Sequence, residues 1–317
     1  MPLQLTESKL FRNALENNDL KGLRKIPKSD LHNHGMMGGR LAHMETFYGK
    51  KIPKFSYGDK GIQGINDWIA LHYRPVLDKP GSLDAAVEGA FVQAKSDGIT
   101  LLEMSIDIFF GRLFNFSPDK IIRTLDHYHK IIAPGIEFRP EIGFARNLPV
   151  RAILQCIEPY FDSRFFYSID LYDDEFSQPI KNFREIYRYA KKLGLKCKAH
   201  AGEFGTAESV RENAEVLELD AIQHGIAAAD SPAIMKWLSV NKISLNVCPA
   251  SNIMLKRARS FKAHPIRILF DHGVNVTINT DDVMLFGKGN SEQFLQLYKT
   301  GRFTVDELDR IRMNGLT

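Results

Sequence analysis

With 317 residues, 44% of them apolar and 25% charged, the chain has the make-up of a globular protein with room for one large domain. A formal charge of +4, with no stretch that interleaves Lys or Arg with aromatics, argues against a nucleic-acid groove, and no run approaches the roughly 18 apolar residues of a membrane helix. The opening MPLQLTESKLFRNALENNDL lacks the apolar core of a signal peptide, and Cys156, Cys197 and Cys248 are odd in number and far apart, so a cytoplasmic chain with reduced thiols is expected.

In chain order, the first predicted strand is SDLHNH (29–34), followed by TLLEMSIDI (100–108), EFRPEIGFA (137–145) and FFYSIDLYD (165–173). Four more follow at KCKAHAGE (196–203), AIQHGI (221–226), SLNVCPAS (244–251) and VNVTINTDD (274–282). Between them lie amphipathic stretches such as SLDAAVEGAFVQAKSDG, IKNFREIYRYAKKLG and TAESVRENAEVLEL, two of which end on a glycine that stops a helix ahead of a strand. No linker or internal repeat divides them, so residues 1–317 read as a single (β/α)8 barrel domain of the TIM type. The runner-up, an open doubly wound sheet, needs a glycine-rich phosphate loop after its first strand, and none is there. The basic run LKRARSFK (255–262) reads as a solvated helix face.

Catalytic groups of such a barrel sit at the carboxyl ends of its strands. His32 and His34 end the first strand, His200 and Glu203 the fifth, His224 the sixth, and Asp281 and Asp282 the eighth. Residues i and i+2 share a face on a strand but lie about 200° apart on a helix. His32 and His34 can therefore grip one ion. His127 and His129, inside the helical pattern DKIIRTLDHYHKII, cannot. His32, His34, His200 and Asp281 form an N3O set that suits one zinc ion with a position left for water. Such an ion lowers the pKa of a bound water to around 7, which makes hydrolysis the natural reaction.

Glu203 reads as a proton donor to substrate, against the plainer role of a helix N-terminal acid. His224 reads as a base or orienter for the water, against a core histidine. Two adjacent carboxylates repel unless one meets a cation and the other a donor. Asp281 on the metal and Asp282 on a substrate N–H satisfy both, with a solvated turn as the alternative.

These residues stand in blocks that resemble the adenosine deaminase family of the amidohydrolase superfamily: PKSDLHNH, KAHAGEFGTAESVRENAEVL, IQHG, NVCPASN and INTDD, in order over nearly the whole chain. The resemblance implies a small-molecule purine nucleoside substrate whose 6-amino group is hydrolysed, one zinc ion on His32, His34, His200 and Asp281, and Glu203 protonating purine N1. It gives His224 the positioning and deprotonation of the water and gives Asp282 a contact to N7. The cytidine-type plan needs a Pro-Cys-x-x-Cys pair, which VCPAS does not supply. A dinuclear site needs a bridging lysine after the fourth strand, which SIDLYDDE lacks.

Departures from the family pattern fall on the substrate side. An Asp expected to contact the ribose 5'-hydroxyl is replaced by Met36, which fits an apolar 5' group such as a thioether, or else a simple gap-filler. Arg40 offers a rival contact for a 5'-phosphate. Asp173 stands where a glycine amide meets purine N3, and Asp tolerates a left-handed backbone. Gln223 replaces a glycine ahead of His224, with no consequence assigned. Trp68, Ile69 and Leu71, in INDWIALHYRPVL, fall where a lid covers the ligand. The other readings are a related hydrolase acting on another amino-heterocycle or an adenine nucleotide, and a non-catalytic nucleoside-binding protein on the same scaffold. A partner subunit could cover a surface left by short terminal helices.

Overall fold

A computed structural model describes residues 2–58 and 60–316. All eight expected strands are present and parallel: β1 (Lys28–His34), β2 (Ile99–Asp107), β3 (Glu137–Ala145), β4 (Ser168–Tyr172), β5 (Lys196–Ala201), β6 (Ala221–His224), β7 (Ser244–Val247) and β8 (Val276–Ile278). They lie in the sheet in sequence order. The sheet curls back on itself through a bridge from Asn33 to Asp281. The Asp281 N–H donates to the His32 carbonyl at 2.8 Å, and the His34 N–H donates to the Asp281 carbonyl at 3.3 Å. Barrel closure and the placement of Asp281 beside His32 and His34 are thus one structural event.

Helices fill the crossovers where the amphipathic pattern placed them, at Ser82–Ser96, Pro118–Ile132 and Ala207–Leu217. The last begins on a reciprocal cap between Thr206 and Ser209, which satisfies donors a free helix end would strand. Gly98, at φ 71°, ends the first of these helices, and a Cβ there would stand 2.4 Å from the Arg24 carbonyl oxygen, so only glycine fits. His127 and His129 lie on the Pro118–Ile132 helix, and the His129 ring bonds the Ile136 carbonyl at 2.8 Å, away from any site.

Inside the barrel, below the strand ends, Lys198 is buried between Glu103 and Glu141, and the Ser168 hydroxyl donates to Glu141 at 2.6 Å. Charges so deep persist only when paired and hydrogen-bonded. The helices Pro2–Glu16 and Val305–Asn314 close the opposite end. Arg312 is fully buried there, bonding Asp309 and the Pro27 carbonyl, and Phe11 meets Phe294 edge to face at 5.3 Å.

One expectation is corrected. Residues 255–262 are not a helix face; they run mostly as a loop, with Lys256, Arg257 and Arg259 exposed as a solvated run should be, although Arg257 Nε donates to the Glu203 carbonyl at 2.8 Å. Among the described residues no helix is long and apolar enough to cross a membrane.

Candidate active site

At the carboxyl ends of the strands a cavity of about 360 Å³ opens, and His34, His200, Glu203, His224, Asp281 and Asp282 all line it. The Nε2 atoms of His32 and His34 are 3.3 Å apart, and Asp281 Oδ1 lies 3.4 Å from His34 Nε2 and 3.8 Å from His32 Nε2. Ligands about 2.0–2.1 Å from a tetrahedral ion are separated by about 3.3 Å. His200 completes the histidine group, all three offering ligand atoms within 4.8 Å of one another.

The outer ring nitrogens agree with this orientation. His200 Nδ1 lies 3.3 Å from the fully buried carboxylate of Asp170 on β4, and His32 Nδ1 lies 3.4 Å from Cys248 Sγ. Each contact occupies Nδ1 and turns Nε2 inward. Burial works against charge on His200, but Asp170, together with Glu203 and Asp281, outweighs it and raises the ring to about 9. Burial, reinforced by the neighbouring rings, pushes His32 well down. Metal binding must therefore displace a proton from His200, so affinity falls in acid. This buried group of three histidines and a carboxylate can hold a metal ion. Replacing Asp170 with Asn is expected to weaken metal binding by about 10–100-fold, read by competition with a chelator; unchanged affinity would remove Asp170 from this role.

A backbone device sets the remaining side chains. Among the described residues, Asp173, His224 and Asp281 are non-glycine residues at positive φ, 75°, 61° and 60°, and all three line the cavity; strain of this kind collects at functional sites. The loop that carries Glu203 wraps round the Glu175 carboxylate, which accepts N–H bonds from Gly202, Glu203, Phe204 and Gly205 at 2.7 to 3.3 Å. Glu203 is thereby presented with Oε2 3.5 Å from His224 Nε2. Its other oxygen, and Asp282 Oδ1, are buried with no partner among the described residues. Burial first, then the charge of Asp281, pushes Glu203 up to about 8 and Asp282 well above the usual carboxylate range. Both shifts favour the protonated acid over the carboxylate.

The outer cavity is apolar. Met36, Met37, Ile62, Ile65, Ile69, Phe109, Leu113, Leu148 and Phe286 line it, and among the described residues no Lys or Arg does. Ile65 and Ile69 come from the expected lid, a helix (Ile62–Trp68) continued by a π-helical turn (Ile69–Tyr73). The turn lies just ahead of Pro75, which has no N–H to give and whose ring would strike the Leu71 carbonyl in a regular helix. The Tyr73 hydroxyl donates to the Met36 carbonyl at 2.6 Å and pins the loop after β1 to this lid.

Three expected substrate contacts sit elsewhere. Trp68 is buried behind the lid, its indole N–H on the Pro53 carbonyl, and does not line the cavity. Leu71 is 69% exposed. Arg40 points away from the cavity, its guanidinium held by Gln93, the Gly287 carbonyl and Glu292. Gln223 lies inside the barrel and accepts from Asn246 at 2.8 Å. Sequence reasoning missed Asp170, a lone acid in the apolar run SIDLY and so a visible signal, and Glu175, which has none.

The sequence model of the adenosine deaminase family matches residues 150–317. A Treponema pallidum protein whose name assigns it adenosine/adenine deamination is 33% identical over 285 residues, covering 90% of this chain and 95% of its own. In structure, the chain resembles an adenine deaminase from Arthrobacter aurescens, with a TM-score of 0.81 at 22% identity over 92% of each chain. It also resembles a zinc-bound amidohydrolase from Burkholderia ambifaria, with a TM-score of 0.77 at 21% identity over 93% of this chain and 85% of that one. With the family's blocks matched over so much of the sequence, and a barrel that gathers them at one mouth, the chain belongs to the adenosine deaminase family.

Proposed function

We propose that the protein is a zinc-dependent deaminase that hydrolyses the 6-amino group of an adenosine-like purine, the whole described chain serving as one barrel domain. The observation that carries this reading is the gathering of His32, His34, His200 and Asp281 at metal-ligand spacing, with the buried carboxyls of Glu203 and Asp282 beside them, each with an oxygen that has no partner among the described residues. His32, His34, His200 and Asp281 would hold one zinc ion, which supplies a water acidified enough to attack at neutral pH. The donor set fits: three neutral imidazoles and one carboxylate at tetrahedral spacing.

The side chains divide the rest of the work. Glu203 donates a proton to ring N1, which draws electron density from C6 and opens it to attack. Asp282 donates to N7, an acceptor in a purine nucleoside, and fixes the ring edge-on. His224, 3.8 Å from Asp281 Oδ2, faces the attacking water. Water adds at C6, the C–N bond breaks, and ammonia leaves with the 6-oxo purine as product. His34 and Asp173 line the substrate space, Asp173 at a positive φ of 75°.

Beyond the ring, the cavity presents the apolar Met36, Ile65 and Ile69 and the acids Asp107 and Asp173. That lining suits an uncharged 5' group, of which a thioether is the apolar example. It gives a phosphate no counter-charge, and a buried unpaired dianion costs several kcal/mol. The free base is a second reading, favoured because adenine appears in the names of both the Treponema and the Arthrobacter proteins. In a panel of adenosine, 5'-methylthioadenosine, adenine and AMP, kcat/KM for AMP is expected to lie at least about 100-fold below the best of the other three. AMP as the preferred substrate would refute this account of the cavity.

A further inference from the structure

Behind His224, away from the cavity, lies a chain of hydrogen bonds that the proposed chemistry does not use. His224 Nδ1 is 3.2 Å from the Asn252 side-chain amide, and the carboxamide oxygen of Asn252 is 3.2 Å from His264 Nε2. The other nitrogen of His264, Nδ1, accepts the backbone N–H of Ile266 at 3.1 Å. All three side chains are buried.

The direction of every bond in this chain follows from its last link, because a backbone N–H can only donate. His264 Nδ1 must therefore carry a lone pair. Burial holds the pKa of His264 down to about 3, so the ring is neutral at ordinary pH and its single N–H sits on Nε2. That N–H needs an acceptor, which fixes the Asn252 oxygen towards His264 and its NH2 towards His224. Rotating the amide by 180° would set two donors against each other at His264. The NH2 then donates to His224 Nδ1, which is left without a proton. The proton of a neutral His224 is on Nε2, facing Glu203 and Asp281.

We infer that Asn252 and His264 are positioning residues that lock His224 in the tautomer with its proton on Nε2. The inference rests on the reading that His224 faces the attacking water. It refines that role: in this tautomer Nε2 offers a hydrogen bond to the water or to Asp281 and has no lone pair for the water's proton. The resemblance to the family gave His224 both tasks; the relay supports orientation.

The direct test is long-range 1H–15N correlation of the histidine rings in the zinc-loaded enzyme, with His224 and His264 assigned by substitution. The relay predicts a protonated-type Nε2 and an unprotonated-type Nδ1 for both rings. A proton on Nδ1 of His224 would overturn it, whatever the activity. Two variants give a second reading. Asn252→Leu, which keeps the volume and removes the amide, is expected to lower kcat by about 10–100-fold with zinc content and KM little changed. His264→Gln, whose amide can still donate to the Asn252 oxygen, is expected to keep kcat within about fivefold of wild type. Wild-type kcat in Asn252→Leu would also overturn the relay. Failure of the deaminase reading would show separately, as absence of purine turnover in the unaltered enzyme.

Discussion

Glu203→Gln is expected to keep its metal and lose about 10²–10⁴-fold in kcat, the usual contribution of a positioned general acid. Gln keeps the shape and the loop bonds to Glu175, which come from backbone N–H groups, but its amide cannot transfer a proton to the ring. Zinc analysis of the purified variant is the discriminating measurement. Glu203, His224 and Asp281 also lie within 4.8 Å of one another, so a competing ligand set exists on geometry alone. Loss of zinc along with activity would move the metal to that set and Glu203 out of its acid role. The pH profile carries the same logic. Burial and Asp281 push Glu203 up to about 8, and its acid form is the active one, so kcat/KM is expected to fall as pH rises through that region. A cation on the neighbouring ligands attracts the carboxylate and moves this limb to lower pH.

His200→Ala is expected to lose metal and activity together, with kcat down by at least about 10³-fold, because the acidified water disappears with the ion. The contrast with Glu203→Gln separates a ligand from an acid three residues apart on the same strand end. The substitution also strands Asp170, fully buried and without its ring partner, which destabilises the fold. Circular dichroism on the same sample separates metal loss from unfolding. Full zinc occupancy in a folded His200→Ala enzyme would remove His200 from the ligand set.

The features legible in the sequence were those that depend on local periodicity. Eight apolar runs alternating with helical stretches were enough for the barrel, and period two against period 3.6 separated His32 and His34 from His127 and His129. The carboxyl-end rule then gathered His200, Glu203, His224, Asp281 and Asp282 without knowledge of distances. What could not be read depends on where loops turn. Arg40 is only six residues past His34, yet its loop delivers the guanidinium to Glu292 rather than to the cavity. The run from Leu255 to Lys262 is solvated as its charge implies but is not helical, and its loop course lets the exposed Arg257 reach the Glu203 carbonyl. Asp170 stands out as a lone acid in an apolar strand, but its role depends on His200 of the neighbouring strand reaching it, which strand periodicity does not give. The link from His224 through Asn252 to His264 joins residues with no shared periodicity.

The central claim is that His32, His34, His200 and Asp281 close on one zinc ion. Anomalous diffraction at the zinc edge, on crystals of the enzyme purified without added chelator, tests it most directly. The account predicts one peak per chain, about 2.0–2.2 Å from three Nε2 atoms and an Asp281 oxygen. A stoichiometric ion held by Glu203 and His224 instead, a second ion in the cavity, or full purine turnover by a protein with no zinc would contradict it.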